Sequence, residues 1–165
     1  MTSIAQFVPV RSPQPHSVLV RPTLPAVRPT PARRSEDRQF DLMLDSFEHH
    51  GGIRSGNHIA LMMRRRSAQP VSELARAIVE RRVVCLRQGS ELLVPLFQFD
   101  PQSMQLLPEA SAVIAALAPA FDDWEVAFWF VQPNRRLDEL APIDVLRSDP
   151  QAVLEAARED SRRVH

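Results

Sequence analysis

Glu48, His49, His50 and His58 form the densest group of side chains able to ligate a metal, and Asp122 with Asp123 form the only paired carboxylates beside an aromatic segment. Neither pattern carries chemistry far. Neighbouring histidines on a helix diverge by about 100°, and the spacing fits no zinc motif. At the head of a helix, Asp122 or Asp123 caps free N–H groups, and both charges suit the helix dipole. Cys85, the sole cysteine, falls in an apolar, strand-like run where a small buried thiol is the ordinary occupant. The four glycines form no phosphate loop, dinucleotide fingerprint or nucleophile elbow. The expectation is therefore a non-enzymatic protein with no catalytic residues, metal or cofactor.

The elements that would position these side chains follow from periodicity. Phe40, Met43, Leu44 and Phe47 recur at helical spacing, and Gly51 and Gly52 stop them. A second helix is predicted from Asn57, as cap, to Arg66, and a third from Pro70 to Arg81 with a stripe of Val71, Leu74, Ala75, Ile78 and Val79. The period then changes to two: VVCLR, the turn QGS and ELLVPLFQF read as a hairpin, with Pro95 marking an edge or bulge. Further helices are predicted over Pro108 to Ala118 and Asp123 to Val131, ended by Pro133 and Asn134. A short turn follows at Pro142, and a last helix carries Val153, Leu154 and Ala157, begun by a Ser148/Gln151 capping box or by Asp149 and Pro150. The expected fold is mainly α with a small β-hairpin.

The composition divides this fold into segments. Seven prolines within residues 1–31, interleaved with arginines, predict an extended tail over 1–38. Residues 39–94 make a helical part that includes the start of the hairpin, and 95–165 a compact helical part. Every basic residue is arginine, and the charge runs +4, +2 and −6 across these three segments. The acidic third segment is unsuited to a phosphate backbone. A helix pair followed by a hairpin in residues 39–94 matches the order of a winged helix-turn-helix, degenerate because the turn lacks its usual glycine. Arg76, Arg81 and Arg82 would meet operator DNA, unless they only solvate a helical surface. No run approaches the roughly 20 apolar residues of a membrane helix, and the start lacks a signal peptide pattern. A soluble, cytoplasmic chain is expected.

The segment Asp123–Val131 is apolar on two faces. Trp124, Ala127, Phe128 and Val131 gather on one, and Val126, Trp129 and Phe130 on the other. One face serves a core, to which Trp124 is assigned; the second predicts cover by another layer or another chain.

Three sequence elements carry a family resemblance: PLFQFD at Pro95 to Asp100, WEVAFWFVQPN at Trp124 to Asn134, and the PIDVL…DP..VL..A pattern from Pro142 through Ala157. Over roughly residues 70–160 the chain resembles the toxin-binding domain of the Xre/MbcA/ParS antitoxin family. The resemblance implies a bacterial antitoxin whose C-terminal region occludes the active site of a cognate toxin, typically a RES-domain enzyme that degrades NAD. It also implies operator binding through an N-terminal helix-turn-helix, often as a homodimer. The region before Pro70 departs from the usual DNA-binding domain of such proteins. A toxin-binding face would use Trp129, Phe130, Asn134 and Arg135, with Glu155, Glu159 and Asp160 reaching a basic pocket; buried aromatics there contribute on the order of 2 kcal/mol each. A DNA-binding regulator and an orphan protein-interaction module are the alternative readings.

Overall fold

In a computed structural model the protein is described over residues 41–164; the expected tail and Phe40 lie outside the described residues. The first helix, α1 (residues 41–48), buries Met43 and Phe47, four apart on one face. Its carbonyls are closed off as Gly51 and Gly52 turn through left-handed φ values of 95° and 75°. The chain then enters β1 (Ile53–Ser55), α2 (Gly56–Met63) and α3 (Pro70–Val79). Ser55, rather than Asn57, caps α2 by accepting from the His58 N–H at 3.3 Å. Both are cap-type residues, and the end of the short strand decides between them. The second helix stops at Met63, so Arg64 to Arg66 lie in the turn beyond it.

β2 (Leu86–Gln88) and β3 (Glu91–Pro95) form the expected hairpin, and Gly89 supplies the φ of 60° at the first position of its two-residue loop. A third strand that periodicity did not predict completes the sheet: β1 pairs antiparallel with β3, giving the order β1-β3-β2. Both hairpin strands are shorter than predicted. Gln98, fully buried, accepts from the Val84 N–H and donates to the Val84 carbonyl, each at 2.9 Å, and donates to the Pro95 carbonyl at 3.0 Å. Its side-chain amide thus takes the place of a neighbouring strand at Val84. The chain after Pro95 turns through a 3-10 segment, Leu96–Gln98, instead of continuing the ladder.

Residues 83–86 alternate between two cores. Val83 and Cys85 join Ile59, Leu74 and Phe99 in a smaller cluster beside α2 and α3. Val84 and Leu86 join a larger one with Phe47, Phe97 and the C-terminal helices. An extended stretch buried on both faces produces the near-continuous apolar run seen in the sequence. The larger cluster draws residues from both sides of position 95.

Four helices follow: α4 (Pro108–Leu117), α5 (Asp123–Val131), α6 (Pro142–Val145) and α7 (Pro150–Arg163), with a 3-10 turn at Arg135–Leu137. Proline stands at the first turn of α4, α6 and α7, where its missing N–H costs no bond. A capping box of Asp122 and Glu125 starts α5. Asp149, and not Ser148, caps α7 by accepting from Ala152. The fold is mainly helical with a small antiparallel sheet. Among the described residues no helix is long and apolar enough to cross a membrane.

Candidate functional site

The two faces of α5 are both turned to use within the chain. Val126, Ala127 and Phe130 are buried, while Trp124, Phe128, Trp129 and Val131 are half-buried against the same cluster. Phe130 is 0% exposed and is therefore a core residue, which corrects its expected place on a binding face. Its ring meets Phe97 at 4.6 Å between centroids, and Phe97 stacks on Phe47 at 5.6 Å. Trp129 lies edge-on to Phe130 at 5.3 Å and ends this aromatic row at the surface. Trp124, assigned inward, is half-buried and packs against the same cluster.

Around Trp129 the structure gathers polar groups from three segments. The indole Nε1 and the Asn134 Nδ2 both donate to Oδ2 of Asp160, each at 2.9 Å. The other end of Asn134 accepts from the Arg136 N–H and caps the 3-10 turn. Arg136 reaches Glu159 at 3.3 Å, and Glu159 also meets Arg162 at 3.1 Å. Glu155 lies one turn earlier on α7 and accepts from Gln151, and Arg135 is exposed at the start of the 3-10 turn. Trp129, Asn134, Glu159 and Asp160 are thus brought into one network. Arg136, which sequence reasoning passed over for its neighbour, belongs to it. The pair Arg135-Arg136 was the available signal; the phase of a three-residue turn chose between them.

The three arginines expected to meet DNA have different surroundings. Arg76 is exposed on α3. Arg81 takes φ 50° and donates to the carbonyls of Ala118 and Phe121, with Asp123 at 3.5 Å, so its guanidinium clamps the α4–α5 connection. The side chain expected to meet a groove is thus engaged within the chain: two of the carbonyls left open after α4 would lose their donor if it moved. Arg82 is paired with Glu80 at 2.8 Å. The outer side of α3 also exposes Val71 at 68% and Val79 at 82%. Arg66, Arg76 and Arg82 share one cleft of about 340 Å³ with Ser103.

His50 binds Asp144 at 3.0 Å, which ties the turn after α1 to α6. Among the described residues no three histidine, cysteine, aspartate or glutamate side chains are grouped to hold a metal. Burial pushes the Cys85 thiol above its ordinary range, with Asp123 adding to the shift and Arg87 opposing it. A thiol held protonated is a poor nucleophile.

No family model matches the chain, and no curated protein or solved structure matches it at a significant level.

Proposed function

We propose that this protein is a non-enzymatic antitoxin-like module that binds a cognate toxin and blocks its active site with the C-terminal region. The observation that carries this reading is the convergence of Trp129, Asn134 and Asp160, drawn from α5, the following loop and α7, on a single carboxylate oxygen at the surface. A half-buried tryptophan held in one orientation meets a partner with little side-chain entropy left to lose. The surrounding charges, Arg135, Arg136, Glu155 and Glu159, make a polar rim. The excess of acidic residues beyond position 95 suits a basic pocket shaped for a pyrophosphate, as a NAD-degrading RES enzyme would have. The sequence elements around Pro95–Asp100, Trp124–Asn134 and Pro142–Ala157 support the same family reading.

Co-expression with the product of the neighbouring gene tests this function, a RES-type toxin being the expected partner. Rescue of growth and co-purification of a complex are expected, and both should be lost in a Trp129→Ala, Glu155→Arg double variant that remains folded. Killing that continues in the presence of the wild-type chain, with no complex eluting, overturns the proposal.

A second reading, a winged-helix regulator of operator DNA, is favoured by the order α1-β1-α2-α3-β2-β3 with β3 central in the sheet. Arg64 to Arg66 and Arg76 are exposed at the end of α2 and on α3. Binding to the upstream DNA should weaken steeply with salt and fall on Arg76→Ala. Absence of any gel shift at low salt removes this reading.

A further inference from the structure

We propose that the cleft at the seam of the two hydrophobic clusters binds a small amphipathic anion, an aliphatic or aromatic carboxylate. The cleft has a volume of about 340 Å³, within the range of roughly 300–1,000 Å³ typical of ligand sites. Phe97, Ile143 and Leu146 of the larger cluster form one wall, and Phe99 and Met104 of the smaller one form the other. Met62 closes the α2 side.

Met104, which lines this cleft and two neighbouring ones, is held by a built turn. The Asp100 carboxylate accepts from the N–H groups of Gln102 at 3.1 Å and Ser103 at 2.7 Å. The Asp100 carbonyl accepts from Met104, and the Asp100 N–H donates to Gln105, both at 2.8 Å. Met104 itself is held at φ 54°, left-handed backbone that a long side chain rarely adopts. Such strain persists where the surroundings over-determine it, and it concentrates at ligand clamps. The unbranched side chains of Met62 and Met104 reshape readily around an apolar guest.

The charges at the mouth select the head group. His50 is engaged by Asp144, and the Asp100 carboxylate is engaged by the two amides of its own turn. Arg147 and His49 also line the cleft, and both are exposed. Among the described residues that line the cleft, Arg147 is the permanent cation; it also acts on the nearby Asp100 carboxylate, and its exposed fork matches the carboxylate of a ligand. A sugar or other hydroxyl-rich ligand would leave its polar groups unpaired against the phenylalanine and methionine walls.

Titration of the full chain with octanoate, octan-1-ol and octylammonium, each below its aggregation limit, tests the site by calorimetry and by methyl NMR of the methionines. Octanoate should bind one to one and shift the Met62 and Met104 signals. Arg147→Gln should weaken it about ten-fold or more, the effect of one charged hydrogen bond. Met62→Trp, at a half-buried position, should fill the cleft and abolish binding without changing the circular dichroism. Octanol or octylammonium binding as tightly as octanoate overturns the assignment of an anion. No saturable binding of any of the three overturns the site.

Discussion

Trp129 and Asp160 are joined by a 2.9 Å hydrogen bond from the indole Nε1 to Oδ2, which fastens α5 to α7 across 31 residues of chain. The same oxygen accepts from Asn134, so one carboxylate satisfies two donors in a half-buried position. Asp160→Ala leaves both donors without their partner and should cost about 1–3 kcal/mol. Asp160→Asn keeps an acceptor oxygen and should cost clearly less. Urea unfolding followed by tryptophan fluorescence measures the pair. Equal losses for both variants would show that charge, and not the hydrogen-bond geometry, holds the helices together.

Gln98 offers a sharper case because it is wholly buried. Its three hydrogen bonds serve the N–H and carbonyl of Val84 and the carbonyl of Pro95. Gln98→Leu has a suitable volume but strands three backbone groups, so a loss of about 3 kcal/mol or more is expected. Gln98→Glu retains an acceptor for Val84 N–H but, when ionised, faces the two carbonyls with no proton to share. That variant should be less stable at pH 8 than at pH 5, and the wild type should not show the same difference. Thermal unfolding at the two pH values checks it.

Much of this architecture was legible because local chemistry marks it. Pro108, Pro142 and Pro150 open helices, Asp122 with Glu125 closes a capping box, and Gly51, Gly52 and Gly89 take the left-handed turns. What escaped depends on distant partners. Ile53 to Ser55 are too few to show a period, and become a strand only because β3 offers an edge. The helical wheel of α5 does not divide its residues as the structure does, since Ala127 of one predicted face and Val126 and Phe130 of the other are buried together, and it is silent on what covers them. Phe97, itself stacked on Phe47 and earlier in the chain, covers Phe130 and leaves Trp129 at the boundary. Gln98 stands in the PLFQFD element, but its structural role did not show: between two phenylalanines it reads as the outward residue of a strand, yet it is fully buried and its amide makes three hydrogen bonds to backbone.

Asp100 sets a pH dependence. Hydrogen bonds from the side chain and backbone of Ser103, then that from the Gln102 N–H, hold its carboxyl below the ordinary range, and Arg147 adds a smaller pull. A carboxyl whose value is depressed on folding stabilises the native state above its unfolded pKa of about 4, and this contribution is lost as pH falls through the folded value. Asp100→Asn should therefore be less stable than the wild type at pH 7, with the gap closing as both are taken toward pH 3. Urea midpoints across that range give the answer, and a gap that stays constant with pH would assign the turn's stability to shape alone.

Arg81 separates a structural role from a DNA-contacting one. Its guanidinium donates to the Ala118 and Phe121 carbonyls while its backbone sits at φ 50°. Arg81→Ala removes those bonds and keeps the backbone cost of a β-carbon in the left-handed region. Arg81→Gly removes the same bonds but relieves that cost, by an amount on the order of 1 kcal/mol. The alanine variant should accordingly be the less stable of the two, both should fall below the wild type by about 2 kcal/mol, and Arg81→Lys should recover little because an ammonium cannot span two carbonyls as a planar fork does. Upstream DNA, if bound, should be held equally well by the wild type and by Arg81→Lys at temperatures where both are folded. A DNA affinity that drops in Arg81→Lys with no change in unfolding midpoint would reverse the assignment, freeing the guanidinium from the α4–α5 connection and returning it to the groove.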